Sequence, residues 1–289
     1  MTRIAVLVVL ALAAGCGGED RDRWPGTVAY SAEVGPDTGL DLFVRAPGGQ
    51  ARRLTDGAVN EFSPSWAPDG RWLAYRVNPP RGDEGDIWRM RADGTGARNL
   101  TRSPGVADWS PAVSPDGRRI AFMSSRDGTH ELWVMDAGGG NARRLTRAEE
   151  LSEYPSWSPD GSWLAFGANR AGDFEIARIA AEGGEETNLT AHPGRDQWPA
   201  VSPDGKRIAF MSDRDGGEDV FVMRADGTGV RNVTRSAERF ESHPTWAADG
   251  RLTYYQHSEG PVHVRVDPLD GTGGHTLPID GAFVFDWTP

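Results

Sequence analysis

The feature that most constrains this chain is a sixteen-residue stretch that occurs twice. VSPDGRRIAFMSSRDG at Val113–Gly128 returns as VSPDGKRIAFMSDRDG at Val201–Gly216, with fourteen of the sixteen positions identical. Its first half recurs in variant form at spacings of 44 to 47 residues, marked by five aspartates: Asp69, Asp116, Asp160, Asp204 and Asp249. A period of this length indicates one supersecondary unit repeated along the chain.

Each period contains four short runs of β-branched and aromatic residues, separated by Asp-Gly or glycine-rich turns. Such runs between such turns predict antiparallel strands joined by hairpins. Proline and glycine recur too often for helical repeats of similar length. Four strands in about 44 residues are typical of a β-propeller blade. We therefore predict an all-β fold.

The two ends of the chain predict one further blade. Thr27–Ser31, Leu40–Arg45 and Ala51–Thr55 read as second, third and fourth strands without a first strand. The C-terminal FVFDWTP at Phe283–Pro289 resembles a first-strand phrase. If it pairs beside Thr27–Ser31, the ring closes and no sheet edge is left open. The prediction is a single six-bladed β-propeller of four-stranded antiparallel blades over residues 27–289.

The N-terminus reads as an export signal. Arg3 is followed by the apolar run Ile4–Ala14, which is too short to span a bilayer, and then by LAAGC at Leu12–Cys16. This ending resembles a bacterial lipoprotein signal, which implies a signal peptide at residues 1–15, a lipid on Cys16 and a linker at residues 16–26. Gly17, by the same resemblance, favours the periplasmic face of the outer membrane. The alternative is an ordinary signal with an incidental cysteine.

Composition limits the partners and the chemistry. The chain has 42 Asp and Glu against 31 Lys and Arg, which argues against a nucleic-acid partner. Cys16 is the only cysteine, so no disulfide framework is expected. The sequence has neither a G-x-S-x-G nor an H-E-x-x-H motif. We expect no cofactor, no catalytic residues and a monomer.

Residues that recur in every blade are interpreted as scaffold. Asp116 and Asp204 precede a glycine at a hairpin and are expected to hold the turn backbone, and the recurring Trp66, Trp157 and Trp246 to pack between blades. Two sets of residues spaced by 44 are expected to form an ion pair or a turn clamp across one hairpin: Arg126, Arg170 and Arg214 with Glu131, Glu175 and Asp219. A calcium loop using Asp127 and Asp215 is the alternative.

The site is expected where the repeats differ, in the segments that lead to each first strand. The residue three places before the strand's proline is acidic in four of five repeats: Glu61, Asp108, Asp196 and Glu241. Aromatic or imidazole side chains lie beside this position: Phe62, Trp109, Tyr154, Trp198 and His243. An acidic, aromatic rim at the channel mouth suits a basic or extended peptide. A bound cation, or turn acids with gap-filling aromatics, are the alternatives.

The repeated sequence motifs resemble the repeats of TolB-like propellers. The match lies in PxWSPDG, xIAFxSxRDG and ADGxGxRxLT, and it extends over most of the chain from Thr27 to Pro289. The resemblance implies a role of the TolB-like kind in the bacterial cell envelope. With the N-terminal signal and the missing catalytic motifs, we predict a non-enzymatic lipoprotein that binds a protein or an extended peptide at the channel mouth. A channel-using carbohydrate-active enzyme or hydrolase, and a structural spacer, are the alternatives.

Overall fold

A computed structural model describes residues 24–35, 39–79, 84–147, 151–170, 172–235, 240–257, 262–269, 274–277, 279 and 283–288. These residues form 24 β-strands and no helix, so none of them belongs to a helix that could span a membrane. The strands form six four-stranded antiparallel sheets arranged as the blades of a propeller. The predicted all-β, six-bladed fold is confirmed.

Each blade is built from an innermost strand outward. The innermost strands are β4 (Asn60–Trp66), β8 (Asp108–Val113), β12 (Ser152–Trp157), β16 (Asp196–Val201), β20 (Phe240–Trp246) and β24 (Phe283–Trp287). The second strands are β1 (Val28–Glu33), β5 (Trp72–Asn78), β9 (Arg119–Ser124), β13 (Trp163–Arg170), β17 (Arg207–Ser212) and β21 (Leu252–His257).

The outer half of each blade is a long third strand and a short fourth strand. The third strands are β2 (Leu40–Arg45), β6 (Asp86–Arg91), β10 (Glu131–Asp136), β14 (Asp173–Ala180), β18 (Asp219–Arg224) and β22 (His263–Asp267). The fourth strands are β3 (Arg52–Arg53), β7 (Arg98–Asn99), β11 (Arg143–Arg144), β15 (Thr187–Asn188), β19 (Arg231–Asn232) and β23 (His275–Leu277).

Blade 1 is assembled from both ends of the chain, as the sequence predicted. Its strand order is β24-β1-β2-β3, and Val28 pairs with Trp287. Blades 2 to 6 follow in chain order, each from four consecutive strands. Trp24 is also part of this closure, because it is buried and its ring lies edge-on to Trp287 with centroids 6.4 Å apart. The packed structure thus includes a residue of the segment that the sequence assigned to a linker.

The hydrophobic core lies between blades. Each of six apolar clusters combines side chains from two neighbouring blades. Trp157 of blade 4, for example, packs with Leu132 and Val134 of blade 3. Its indole nitrogen also donates to the carbonyl of Ala112, at 2.9 Å. The predicted packing of the first-strand tryptophans between blades is confirmed.

The aspartates of the repeated phrase hold turns, as expected. The Asp116 carboxylate accepts the backbone N–H of Arg118 at 3.0 Å and the hydroxyl of Ser114 at 2.6 Å. These hydrogen bonds, with the Ser114 hydroxyl contributing most, lower the pKa of Asp116. Gly117 follows with a φ of 68°, a conformation that glycine adopts without a steric cost.

A threonine after each of five fourth strands links the backbone to a buried or half-buried acid. Its hydroxyl accepts a third-strand N–H, as Thr190 does from Ile176 at 2.9 Å. The same hydroxyl donates to the acid at the start of that strand, here Glu175 at 2.5 Å. The five pairs are Thr55 with Asp41, Thr101 with Asp86, Thr146 with Glu131, Thr190 with Glu175 and Thr234 with Asp219.

The predicted hairpin ion pairs are therefore wrong in their partners. Arg126 pairs with Asp108 and Arg214 pairs with Asp196, on the first strands. Arg170 pairs with Glu186. Glu131, Glu175 and Asp219, the expected partners of these arginines, accept hydrogen bonds from threonine hydroxyls instead. The reason is that the third strand begins beside the end of the fourth strand.

Replacing Thr190 with Val should destabilise the propeller by about 1 to 3 kcal/mol, because the N–H of Ile176 and the carboxyl of Glu175 both lose a buried partner. Thr190→Ser keeps the hydroxyl and should lose less. Urea unfolding of both variants measures the difference. A Val variant as stable as the parent chain would contradict this role.

Candidate functional site: the central channel

The innermost strands surround a central channel of about 430 Å³. Its wall is largely apolar and contains one ring of five prolines: Pro64, Pro111, Pro155, Pro199 and Pro244. No Lys or Arg lines it among the described residues. The volume lies within the range of pockets that hold small molecules or side chains.

A β-bulge at each of these prolines shapes the channel mouth. The register between first and second strands shifts there in five blades, for example between Phe62 and Ser65. The residue before the proline takes a left-handed φ of 49° to 53° at all five places: Ser63, Ser110, Tyr154, Trp198 and His243. This conformation is unusual before proline, and bulges redirect side chains. All five line the channel.

One half of the mouth is aromatic. Trp198 stacks on His243 with centroids 3.9 Å apart, and Tyr154 meets Trp198 edge-on at 5.9 Å. Tyr255 lies against His243 from the second strand of blade 6. Burial lowers the pKa of His243 to about 4, with a smaller contribution from His257, so the imidazole is neutral at physiological pH. Three of the five predicted aromatic residues therefore form one cluster across blades 4 to 6.

The other half of the mouth carries small polar side chains. Ser63 of blade 2 and Ser110 of blade 3 occupy the same bulge position as Trp198 and remain partly exposed. Within the described part of the chain, neither hydroxyl makes a hydrogen bond. The mouth is thus open on the side of blades 2 and 3, opposite a rigid aromatic wall.

Phe62 and Trp109 are predicted site residues that do not line the channel. They lie one position earlier, where the guanidinium of Arg76 approaches both rings, at 5.9 Å from Phe62 and 5.0 Å from Trp109. Trp109 also contacts His130, with centroids 4.7 Å apart. This cluster holds blade 2 against blade 3 beside the mouth.

The four predicted rim acids are buried between blades and do not line the channel. Asp108 accepts the Arg126 guanidinium at 3.1 Å, and Asp196 accepts Arg214 at 2.6 Å. The expectation of an acidic rim is wrong for this reason. The bulge adds one residue, so side-chain alternation changes face across it, and the residue three places before the proline turns into the blade.

Glu61 and Glu241 occupy the same position on the first strands of blades 2 and 6. Glu241 accepts a hydrogen bond from Gln256 at 3.0 Å. Burial, with a smaller contribution from the neighbouring Asp41, raises the pKa of Glu61 to about 7, against the opposing effect of a hydrogen bond with Thr55. The row of four acids thus contains two aspartates in ion pairs with arginine and two glutamates, of which Glu61 has a raised pKa.

Asp286 is a channel acid that the sequence analysis missed. It lies on β24, one residue before Trp287, and is the only carboxylate that lines the channel among the described residues. Its oxygens accept the backbone N–H of Trp66 at 2.7 Å and that of Trp287 at 2.9 Å. Burial raises the pKa of Asp286 to about 6 despite these two donors. The alignment of FVFDWTP with the other first strands was the signal available in the sequence.

The calcium-loop alternative finds no support in the contacts of its aspartates. Asp127 pairs with Arg144 at 3.1 Å, and Asp215 accepts Asn232 at 2.8 Å. The described residues contain no cluster of three or more His, Cys, Asp or Glu that could hold a metal ion. Cys16 and the predicted signal at residues 1–15 lie outside the described residues.

Comparison of the sequence with known protein families agrees with the propeller fold. The sequence matches the PD40 family, described as the TolB beta propeller domain, over residues 95–188 and 153–278. The chain belongs to the TolB β-propeller family.

The relatives of this TolB-family propeller match over limited stretches. The Tol-Pal system protein TolB of Anaeromyxobacter dehalogenans is 40% identical over 113 residues, which cover 38% of this chain and 24% of the relative. The uncharacterized protein Atu1656 of Agrobacterium fabrum is 35% identical over 105 residues, 34% of this chain and 35% of the relative. The matches thus span about a third or less of these relatives.

The TolB structure from Acinetobacter baumannii superposes with a TM-score of 0.79 at 22% identity, over 91% of this chain and 67% of that one. This likeness concerns the fold alone.

Replacing Glu61 with Gln should stabilise this TolB-family propeller at pH 8. The pKa of Glu61 rises from 4.5 to about 7 on folding. The folded state therefore binds more protons than the unfolded state between these values, and stability contributed by this group falls as pH rises through them. We expect Glu61→Gln to gain about 1 to 2 kcal/mol at pH 8. This is less than the full pKa shift corresponds to, because the buried glutamine amide also needs hydrogen-bond partners.

The gain should become small towards pH 4.5, where the parent carboxyl is protonated in the folded state and about half protonated in the unfolded state. Urea unfolding from pH 4.5 to pH 8 measures it. Asp108→Asn is the matched control, since it removes the partner of Arg126 and should lower stability at pH 8. Parallel pH curves for the parent and Glu61→Gln would contradict the assignment.

Proposed function

We propose that this TolB-family propeller is a binding protein of the bacterial cell envelope and not an enzyme. It binds an extended peptide segment of a partner protein at the half-aromatic channel mouth. A lipid on Cys16 anchors it, after removal of residues 1–15, at the periplasmic face of the outer membrane.

The observation that carries this proposal is the asymmetry of the mouth. Tyr154, Trp198 and His243 form a packed apolar wall, and Ser63 and Ser110 leave space opposite it. Rigid aromatic side chains bury large areas at little entropic cost and anchor many protein interfaces. Serine hydroxyls without protein partners suit the main-chain groups of an extended peptide.

The proposed selectivity differs from that of an acidic rim. Because the four acids are buried in the blades, the mouth recognises apolar and aromatic side chains of the peptide rather than a run of basic residues. The positive φ at each bulge fixes the direction of the wall residues before any ligand arrives. The site is therefore preorganised.

Two further observations support the envelope setting. Residues 1–16 have the charged start, apolar run and terminal cysteine of an exported lipoprotein. One relative is named a Tol-Pal system protein, and we extend a role in such an envelope assembly to this chain as part of the proposal.

Ser110→Trp should abolish partner binding by filling the open half of the mouth. The substitution suits the backbone, because Trp198 occupies the equivalent position at nearly the same φ. Ser110→Asn is the matched control, since asparagine tolerates left-handed backbone and stays small. The measurement is crosslinked affinity capture from envelope extract with the full chain as bait.

The parent chain and Ser110→Asn should retain the same partner protein, and Ser110→Trp should lose it. Circular dichroism and thermal unfolding establish that the three chains are equally folded. Capture of the same proteins by all three baits would show that the channel mouth is not the binding site.

A further inference from the structure

Asp286 differs from the residues at the equivalent first-strand position of the other five blades. The equivalent positions in the other blades carry small neutral side chains: Ser65, Ala112, Ser156, Ala200 and Thr245. The hydrogen bonds show that these positions are structurally equivalent. The Ser65 hydroxyl accepts the backbone N–H of Val113 in the next blade, and the Asp286 carboxylate accepts the backbone N–H of Trp66 in the same way. Ser156 makes the same bond to Val201.

The scaffold does not require a carboxylate at this place. A serine hydroxyl accepts the inter-blade N–H at two other boundaries, at distances of 3.0 and 3.1 Å. A carboxylate surrounded by proline and tryptophan side chains is costly unless a cation or several donors compensate its charge. Two backbone donors compensate Asp286 in part. Within the described residues it forms no ion pair.

Asp286 also lines the channel wall. Asp286 retains partial exposure, whereas the acids of the first-strand row are buried. No cationic side chain lines the channel with it among the described residues, and burial keeps the neighbouring His243 neutral. A positive group entering the channel would therefore meet one negative charge in a wall of low polarity, where the attraction is strong.

We propose that Asp286 makes the channel a binding site for a primary ammonium group, carried on the lysine side chain of the bound peptide. This inference rests on the proposed function, since the peptide at the mouth delivers the lysine. It adds a charge requirement to a site that otherwise selects apolar side chains.

The geometry favours lysine over the other cations. Each carboxylate oxygen already accepts one backbone N–H, which leaves a poor match for the paired donors of a guanidinium. An ammonium needs a single oxygen and arrives on a slender, flexible apolar stem. Calcium takes six to eight oxygen ligands, and the described residues of this wall include one carboxylate.

The test uses n-pentylammonium as the probe and the isotope-labelled full chain as the receptor, at neutral pH. Trp66 and Trp287 line the channel next to Asp286, so their NMR signals report binding. We expect saturable shifts of these signals in the parent chain. In Asp286→Asn the affinity for the probe should fall by about tenfold or more, because the ammonium loses a charge-assisted hydrogen bond.

Asp286→Ser is the second variant, because Ser65 and Ser156 show that serine keeps the inter-blade bond. It should fold like the parent and bind the probe as weakly as Asp286→Asn. n-Pentanol measures the apolar contribution and should bind all three chains equally. Equal ammonium affinity in the three chains, or ammonium binding no tighter than pentanol, would overturn the inference.

The result of the ammonium-binding test can be distinguished from the result of the partner-capture test. If Ser110→Trp loses the partner and the ammonium shows no dependence on Asp286, the peptide site stands and the lysine pocket is wrong. If the ammonium binds through Asp286 and Ser110→Trp still captures the partner, the pocket stands and the channel mouth is not the partner's site.

Discussion

The link between a threonine hydroxyl and a buried carboxylate underlies much of this propeller. In five blades it joins the end of the fourth strand to the start of the third strand, at the edge next to the following blade. Glu131, bound to Thr146, also contacts Ser152 of blade 4. The link fixes the segment that returns to the axis, and so it positions the start of the first strand in blades 2 to 6.

The sequence was sufficient for the fold because the same physical problem is solved in every blade. Asp-Gly turns, strand-length runs and the split ends of the chain predicted six blades and the pairing of β24 with β1. The identity of ion-pair partners was not predictable from spacing. Arg126 and Glu131 recur together along the chain, but Arg126 reaches Asp108 on the first strand, and only the strand order of the blade shows this.

The site was predictable in part, and the reason lies in the bulge. Aligning the chain on the first-strand proline placed Tyr154, Trp198 and His243 at the mouth correctly. The same alignment placed Asp108 and Asp196 there incorrectly, because strict alternation does not continue through a bulge. A proline within a strand is a sequence signal for such an irregularity. Asp286 was missed because its strand lacks that proline.

The channel shows which features packing explains and which it does not. Ser–Trp and Ala–Val pairs alternate through blades 2 to 5, and each Ala carbonyl accepts the indole N–H of the next blade's tryptophan, as in Ala200 with Trp246. A feature required for blade contacts thus recurs every blade or every second blade. The aromatic wall occupies three adjacent blades and Asp286 occurs in one, so neither follows these periods. Packing between blades therefore does not explain the aromatic wall or Asp286. Binding of an asymmetric ligand in the channel explains both.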